Sequence, residues 1–259
     1  MRVTTIDQHL IQLTQWGAVN CYLVREKDGF TLVDSCYRGV DRFILEIAAK
    51  ASGPLKRIVL THAHRDHVGS LEGFREKLPN AQIMISVRER RLYEGDFSLD
   101  TDEPKSRIRR GDFPRCKVKV DRAVSEHDLI GSLRVISTPG HTPGQIALFD
   151  SRNAALIVGD AFSLLFGLSA AGQLNWLFPF PTLATWNAQM AFASADKAHA
   201  PQTVVSSAGS WTGLERSGFD DESCSKKGSR VCLAYVYVSN CRYSAMVGPF
   251  QQRQKGFLG

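Results

Sequence analysis

Residues 61–69 read THAHRDHVG and contain three histidines and one aspartate within six consecutive positions. The four residues before them are largely apolar and predict a buried β-strand that leads into this segment. Along an extended chain His62 and His64 point to the same side, and Asp66 and His67 follow in the turn. Imidazole and carboxylate groups are common ligands of divalent cations. The segment therefore predicts a metal site rather than a histidine-rich loop without chemistry.

Two turns further along the chain supply more ligand-type residues. Residues 137–144 read STPGHTPG and residues 156–160 read LIVGD, and each follows an apolar, strand-like stretch. Residues at strand ends, held by a rigid scaffold, commonly carry catalytic metals. His141 alone would more often be structural, but beside the first two histidines of the metal segment it completes a three-imidazole set. Asp160 is then left to bridge two metals.

The order of these motifs is similar to that of the metallo-β-lactamase-fold hydrolase superfamily, over about residues 1–198. Residues 20–24 and 31–34 resemble the second and third strands of that family, in which Asp34 would support the metal segment. Cys36 stands close to where the family usually has a glycine. The resemblance implies an α+β fold, the four-layer αββα metallo-β-lactamase sandwich, and a hydrolase domain over residues 1–200.

The resemblance also implies a set of metal ligands and a cofactor. Zinc is expected at two sites, with manganese or iron as alternatives. The first site would use His62, His64 and His141, and the second would use Asp66 and His67, with Asp160 shared between them.

One ligand of the family pattern is missing from the second site. The family normally supplies a last histidine from a Gly-His-Gly turn that follows a helix and a strand. Here residues 182–199 predict that helix and residues 203–205 that strand, but residues 206–211 read SSAGSW. No histidine follows His199 in this sequence. The second site is therefore expected to be incomplete, unless a serine of this turn, His199 or water takes the place of the missing ligand.

The composition changes in residues 201–259, which we treat as an atypical tail. Three of the six cysteines lie there among serine-rich, glycine-rich and basic stretches, and residues 231–238 are the clearest strand-like run. Residues 208–211 can be encoded by GCC GGG TCA TGG, one of several codon choices, and that string reads Pro-Gly-His-Gly one base later. We hypothesise that the tail is a frameshifted product, or is poorly packed. The alternative is a natural, divergent tail.

The ligands indicate a mechanism that needs neither a serine nor a cysteine nucleophile. A divalent cation lowers the pKa of bound water to about 7, which makes hydroxide available at neutral pH. Asp66 is expected to be catalytic, because it could orient the nucleophile and carry its proton to the leaving group. The apolar residues after Asp160 predict substrate contacts, although packing in the core is an alternative for each of them: Phe162, Phe166, Trp176 and Phe178.

The expected substrate class rests on the presence of Asp160 and on the absence of predicted helices in the tail. Asp160 argues against the β-lactamases that carry a cysteine ligand at this position, and the tail predicts no added helical domain of the glyoxalase type. Hydrolysis of an ester or lactone, as in lactonases and esterases, is therefore the leading interpretation. The alternatives are a glyoxalase-II-like thioesterase, a β-lactam hydrolase, or a metal-binding protein of impaired activity because the last ligand is missing.

The bulk composition indicates one soluble globular domain, and the resemblance implies an enzyme that acts on a small molecule. The net charge of +6 is compatible with nucleic-acid binding, but the basic residues form no nucleic-acid motif, so a solvated basic surface is expected. No apolar run has the length of a membrane span, and no signal-peptide pattern is visible, so we expect a cytoplasmic protein without a membrane partner. The cysteine spacing favours reduced thiols. The oligomeric state stays open, and a dimer is compatible with the sequence.

Apolar periodicity predicts the order of the elements. Residues 95–116 are polar and without regular period, and we expect them to lie across the cleft mouth as a lid or specificity loop. Strands are predicted within residues 3–34 and over residues 57–61, 82–86, 117–120, 133–136, 146–149 and 155–158, and helices over about 40–51, 70–77, 87–93 and 182–199.

Overall fold

A computed structural model of the chain describes residues 1–114, 116, 118–163, 169–172, 183–199 and 235–237. Three of the predicted substrate contacts, Phe166, Trp176 and Phe178, lie outside the described residues. The predicted strand at 203–205 and most of the tail lie outside them as well.

The first sheet has seven strands, which follow one another in chain order. The pairings from β1 to β4 are antiparallel, and those from β4 to β7 are parallel. The strands are β1 (Arg2–Thr5), β2 (Leu10–Gln15), β3 (Val19–Glu26), β4 (Gly29–Val33), β5 (Leu55–Val59), β6 (Gln82–Ser86) and β7 (Arg122–Val124).

The second sheet has five strands in the order β14-β11-β10-β9-β8, and β12 and β13 form a separate two-stranded ribbon. The pairings between β8 and β11 are antiparallel, and β14 pairs parallel to β11. The strands are β8 (Leu129–Ile130), β9 (Leu133–Ser137), β10 (Ile146–Asp150), β11 (Ala155–Ile157), β12 (Phe162–Ser163), β13 (Ser169–Ala170) and β14 (Tyr235–Tyr237).

Helices flank the sheets. Ile44 of α1, Phe74 of α3 and Leu92 of α4 share one apolar cluster with Leu32 and Ile58 of the first sheet. The helix α5 packs beside the turn after β9, where Ser194 donates to the carbonyl oxygen of Pro139. The helices are α1 (Asp41–Lys50), α2 (Arg65–Val68), α3 (Leu71–Lys77), α4 (Val87–Tyr93) and α5 (Ala188–His199), with 3₁₀ turns at Arg110–Asp112 and Gly159–Ala161.

A second apolar cluster fills the space between the two sheets. Val33, Val59 and Met84 of the first sheet contact Val135 and Leu148 of the second sheet in this cluster. Successive side chains of a strand point to opposite faces, so the neighbours of Val135 and Leu148 in sequence face outward and form a third cluster. The predicted α+β class and the four-layer αββα sandwich are thereby confirmed.

The predicted strand at residues 117–120 is wrong, and the strand of this region is β7, at Arg122–Val124. Val118 and Val120 are buried, but they pack in the cluster under the helices rather than pairing in the sheet. Asp121 pairs with Ile83 through its backbone N–H, and its carboxylate accepts the backbone N–H of Ile83 at 2.8 Å. The alternating apolar residues Val118 and Val120 therefore indicate burial against the helices and not a strand.

The predicted helix at 182–199 is interrupted: Leu183 and Ala184 are helical, residues 185–187 are not, and the helix α5 begins at Ala188. The side chain of Asn187 accepts a hydrogen bond from the backbone N–H of Met190 at 2.9 Å, as an N-cap residue does. The backbone N–H groups of Trp186 and Asn187 donate to the carbonyl oxygens of His141 and Gly140. The residues before α5 are thus bound to the His141 turn rather than to the helix.

The cysteines among the described residues, Cys21, Cys36 and Cys116, are free. Among the described residues, no helix combines the length and the apolar character that crossing a membrane requires.

Candidate metal centre

The metal segment leaves the end of β5 and turns through α2, a helix of a single turn. His64 precedes α2 with extended backbone angles, φ −69° and ψ 154°. Because the helix starts directly after His64, Asp66 and His67 turn back toward the same centre as His62. The three imidazoles are buried, whereas the Asp66 side chain keeps 28% of its surface exposed.

Asp34, directly after β4, forms hydrogen bonds with two residues of the metal segment, residues 61–69. Its Oδ1 atom accepts the backbone N–H of Thr61 at 2.8 Å, and its Oδ2 atom accepts the Thr61 hydroxyl at 2.8 Å. The same Oδ2 atom lies 2.8 Å from Nδ1 of His67. These contacts agree with the supporting role that the resemblance implies for Asp34. They also fix the orientation of the His67 ring.

The backbone conformation of Cys36 shows why the family usually has a glycine close to this position. Its backbone has φ 56°, in the left-handed region, and its side chain is fully buried. A residue with a Cβ atom loses about 1–2 kcal/mol in that conformation, which glycine adopts freely. A glycine is therefore the less strained residue at this position, and the chain tolerates cysteine there.

His141 and Asp160 come from turns at the ends of β9 and β11. The Nε2 atom of His141 lies 3.0 Å from Nδ1 of His64 and 3.6 Å from Oδ2 of Asp160. Gly159 has φ +54°, and a Cβ atom there would lie 2.7 Å from the Thr61 hydroxyl oxygen. The turn before Asp160 can therefore approach the metal segment only because residue 159 has no side chain.

The candidate ligands form two overlapping groups. The three-histidine group comprises His62, His64 and His141, and the histidine–aspartate group comprises His62, His67 and Asp160. Within each group the ligand-type atoms lie within 4.8 Å of one another. Both groups contain His62, whereas the resemblance assigned His62 to the first site only.

Asp66 lies at the edge of the histidine–aspartate group. Its Oδ2 atom is 3.6 Å from Nε2 of His67, and Oδ1 of Asp160 is 3.3 Å from the same nitrogen. The structure thus brings together all six residues that the sequence proposes as ligands. Their binding of metal stays a prediction.

The free nitrogens of the imidazoles face the centre. Nε2 of His62, Nε2 of His67 and Oδ1 of Asp160 are buried and form no hydrogen bond within the described part of the chain, and the last two atoms lie 3.3 Å apart. Buried polar atoms are otherwise almost always paired. On the opposite side of three rings, Nδ1 lies close to an oxygen: Thr61 Oγ1 at 3.1 Å for His62, Asp34 Oδ2 at 2.8 Å for His67, and Thr185 Oγ1 at 3.2 Å for His141.

Burial sets the protonation of the three-histidine group. Desolvation lowers the pKa of His62 and His64 well below the ordinary value for histidine, and it lowers the pKa of His141 as well. The neutral imidazole is the form that binds a metal ion. This group is therefore ready to bind a cation at neutral pH without losing protons first.

The charge balance of the histidine–aspartate group is different. Burial disfavours the charged form of His67, but Asp34, Asp66 and Asp160 raise the pKa of His67 well above its usual range. Burial also opposes ionisation of Asp160, while His67 lowers the pKa of that carboxyl. Three carboxylates thus surround one imidazole. A bound divalent cation would neutralise this excess of negative charge.

Two residues that the sequence interpretation missed contact the metal segment and the His141 turn. The Glu89 carboxylate accepts hydrogen bonds from the backbone of Ala63 and from the side chain of Thr142. The ring of Phe113 packs against the ring of His64, with centroids 4.7 Å apart. The Ser86-X-X-Glu89 spacing is a helix-start signal that could have drawn attention to Glu89. No comparable pattern marks Phe113.

The segment expected to cover the cleft does lie beside the candidate ligands. Phe97 packs on Phe113, with ring centroids 5.2 Å apart, and Phe113 packs on His64. On the other side Trp186 donates its indole N–H to the carbonyl oxygen of Ser106 at 2.9 Å. A cavity of about 480 Å³ in this segment has apolar and basic walls: Phe97, Leu99, Ile108, Ser106, Lys105, Arg107 and Arg110.

Phe162 is the one predicted substrate contact among the described residues. It is half-buried and packs against the outer cluster of the second sheet, beside Ala161 and Val158. This packing favours the core alternative for Phe162, although it leaves part of the ring exposed.

Comparison with known proteins gives consistent results. Residues 14–208 match the family described as Metallo-beta-lactamase superfamily. The uncharacterized protein YobT of Bacillus subtilis (strain 168) is 44% identical over 198 residues, which cover 75% of this chain and 84% of YobT. The probable metallo-hydrolase YflN of the same organism is 30% identical over 159 residues, or 55% of this chain and 60% of YflN.

One solved structure extends the likeness to the fold. The di-iron-bound form of TTHA1623 superposes with a TM-score of 0.54 at 26% sequence identity. The match covers 74% of this chain and 87% of that chain.

Proposed function

The chain belongs to the metallo-β-lactamase superfamily of metallo-hydrolases, and from this premise we propose that it hydrolyses an ester or a lactone with the help of two zinc ions. One observation carries the proposal. Four imidazoles and two carboxylates from three separate loops converge on one centre, and three of their buried polar atoms have no other partner among the described residues.

The donor set fits divalent metal ions. Neutral imidazoles and carboxylate oxygens suit zinc, and they also suit manganese or iron. The di-iron form of TTHA1623 keeps iron as the first alternative. In this proposal His62, His64 and His141 hold the first ion, while Asp66 and His67 hold the second, with Asp160 shared. Bound metal would supply Lewis-acid polarisation of a carbonyl and a lowered pKa of water.

Asp66 is the residue of the cluster best suited to move a proton. Its carboxylate is 3.6 Å from Nε2 of His67. Its side chain is 28% exposed, which is more than the 14% of Asp160 and the 1% of His67. It therefore borders both the ligand cluster and the solvent. A carboxylate in that position can orient the attacking water and pass its proton to the leaving group.

The cavity within residues 97–110 supports a small-molecule substrate. Its wall combines the apolar side chains of Phe97, Leu99 and Ile108 with basic ones, and its volume of about 480 Å³ lies within the range of small-molecule sites. Its link to the ligand cluster runs through Phe113, which packs on both Phe97 and His64. An acyl chain or the side chain of a lactone would pack on the apolar part of this wall.

A hydrolysis screen tests the proposed substrate class. The metal-free protein, reconstituted with zinc, manganese or iron, is assayed with acyl-homoserine lactones, p-nitrophenyl esters, thioesters and nitrocefin. We expect the highest kcat/KM for a lactone or an ester, and no turnover by the metal-free protein or by His141→Ala. A clear preference for thioesters or nitrocefin would contradict the ester or lactone assignment and favour the corresponding alternative.

A second candidate function follows from the missing histidine. No histidine follows His199 in the sequence, so the second ion lacks the imidazole that usually completes its site. The protein would then bind one metal through the three-histidine group and turn substrates over poorly. Metal content distinguishes the two functions: about two ions per chain support the enzyme, and one ion supports the impaired form.

The frameshift hypothesis for residues 201–259 belongs to the same proposal. It is supported by the codon arithmetic at residues 208–211 and by the family match, which ends at residue 208. Sequencing of the gene tests it directly. If no single-base change restores a Gly-His-Gly turn, the tail is a natural divergence.

A further inference from the structure

Glu89 lies in the first turn of α4 and is fully buried between the two loops that carry the three-histidine group. Its Oε1 atom accepts the backbone N–H of Ala63 at 2.9 Å. Its Oε2 atom accepts the Thr142 hydroxyl at 2.8 Å and the backbone N–H of Gly144 at 2.9 Å. One carboxylate therefore connects the metal segment to the His141 turn.

The partners of Glu89 are the immediate neighbours of candidate ligands. Ala63 lies between His62 and His64, and Thr142 follows His141. We propose that Glu89 is a positioning residue that fixes the distance between these two loops and so assembles the three-histidine group. This inference rests on the metal-ligand assignment proposed above. Glu89 itself contacts none of the candidate ligands through its carboxylate.

The local sequence predicts a different hydrogen bond for the Glu89 side chain. Ser86 is the N-cap of α4, and its hydroxyl oxygen accepts the backbone N–H of Glu89 at 3.1 Å. In a capping box the Glu89 side chain would return to the backbone of Ser86. Its two oxygens instead bind Ala63, Thr142 and Gly144. The glutamate therefore acts between loops rather than within its own helix.

The two loops and α4 are in close contact at this point. A Cβ atom on Gly144 would lie 2.2 Å from the backbone nitrogen of Glu89, so only glycine permits the approach. The Ser86 hydroxyl also donates to the carbonyl oxygen of Gly144 at 2.5 Å. The start of α4 thus holds the His141 turn through both Ser86 and Glu89.

Burying the Glu89 carboxylate costs free energy, and only hydrogen bonds to its oxygens offset that cost. Desolvation raises the pKa of Glu89 to about 7, although the hydrogen bonds from Ala63, Thr142 and Gly144 favour the charged form. No lysine, arginine or histidine of the described chain forms an ion pair with it. A buried carboxylate without a cation persists only where several donors point at it. Here all the donors belong to the two ligand loops.

Cobalt binding tests the inference on the full-length chain. Metal is removed with a chelator, and Co²⁺ is titrated while its visible absorption is followed. In Glu89→Gln the amide nitrogen cannot accept a hydrogen bond, so one of the two loops loses its acceptor. We expect the affinity for the first Co²⁺ to fall by roughly 10- to 100-fold, the usual effect of losing a residue that orients ligands, with altered absorption bands.

Thr142→Val gives a milder version of the same test. It removes one hydrogen bond to Glu89 and keeps the size and shape of the side chain. We expect a smaller fall in first-ion affinity, up to roughly tenfold. If Glu89→Gln does not fold, as judged by circular dichroism, Thr142→Val decides the question by the same criterion.

Glu26→Gln is the matched control. Glu26 is also a nearly buried carboxylate, with 5% of its side chain exposed, and it accepts hydrogen bonds from the backbone and hydroxyl of Ser132. It pairs with Gly29 at the end of β4 that lies away from Asp34 and the metal segment. We expect Glu26→Gln to lower the stability of the fold without changing Co²⁺ affinity or absorption.

Two results would overturn the inference, and they can be told apart. If the folded variants at positions 89 and 142 bind the first Co²⁺ with wild-type affinity and spectrum, Glu89 supports the fold only. If the wild-type protein itself shows no histidine-bound Co²⁺, the ligand assignment fails and the inference fails with it.

Discussion

The two ligand groups of the candidate metal centre share His62 but differ in how they are held. In the three-histidine group every imidazole is buried, and the two loops that carry them are connected by Glu89. In the histidine–aspartate group His67 is buried against Asp34, while Asp160 and Asp66 keep 14% and 28% of their side chains exposed. One group is enclosed, and the other borders the solvent.

This difference separates two tasks that a hydrolytic metal centre must combine. An enclosed set of neutral imidazoles provides a permanent, tightly held ion. A partly open set rich in carboxylates leaves room for water and substrate, and Asp66, the candidate proton carrier, lies at its edge. The open set is also the one that lacks the closing imidazole of the family pattern.

His62→Ala should abolish hydrolysis and most metal binding, because His62 belongs to both groups. The remaining imidazoles cannot hold either ion at comparable affinity. Turnover and bound zinc are measured, and His127→Ala, at an exposed histidine, serves as the control. Turnover above about a tenth of wild type would contradict the assignment.

Asp66→Asn should leave the first ion in place and lower kcat by on the order of 10²-fold or more, the effect of losing a general base. The reason is that Asp66 lies only at the edge of the histidine–aspartate group. The measurement is kcat together with metal content, with Asp102→Asn at an exposed position as the control. A variant that loses all its metal would show that Asp66 is mainly a ligand.

Asp34→Asn should weaken the second ion more than the first, by roughly 10- to 100-fold. The new amide has only one acceptor oxygen, so it cannot serve both the backbone N–H of Thr61 at Oδ1 and the pair formed by the Thr61 hydroxyl and His67 at Oδ2, and His67 loses its charged partner. Asparagine tolerates the left-handed backbone of this position, φ 60°, so the fold should persist. Calorimetric titration with zinc reports both affinities. Equal weakening of the two ions would show that Asp34 does not act on one group selectively.

Ser207→Gly combined with Ala208→His should strengthen the second ion by about tenfold and raise activity in parallel, because it restores a Gly-His-Gly turn. The control combines Ser207→Gly with Ala208→Asn, which changes the turn without adding an imidazole. No gain in affinity over this control would show that the turn does not reach the centre. The ligand that the missing histidine normally supplies would then come from some other group.

The sequence predicted the parts of this molecule that depend on local pattern. The bounds of α4, Val87–Tyr93, and of β6, Gln82–Ser86, agree with the periodicity of apolar residues. β10 is buried along its whole length, as its continuous apolar run indicates. The six candidate ligands were recognisable because each stands directly after an apolar strand or in a glycine turn.

The rest depends on contacts between residues far apart in the chain. Val118 and Val120 look like a strand because they are buried, but the surface that buries them belongs to the helices. Glu89 looks like a capping residue, but its partners lie 26, 53 and 55 positions away along the chain. Periodicity reports that a residue is buried. It does not report which element covers it.

Stepwise binding of zinc to the metal-free wild-type protein tests the central claim most directly. Calorimetry gives the affinity of each ion, and elemental analysis gives the number bound per chain. The division into an enclosed and an open group predicts one tightly bound ion and a second that binds at least about tenfold more weakly. Two ions of equal affinity, or no ion bound at the three-histidine group, would contradict it.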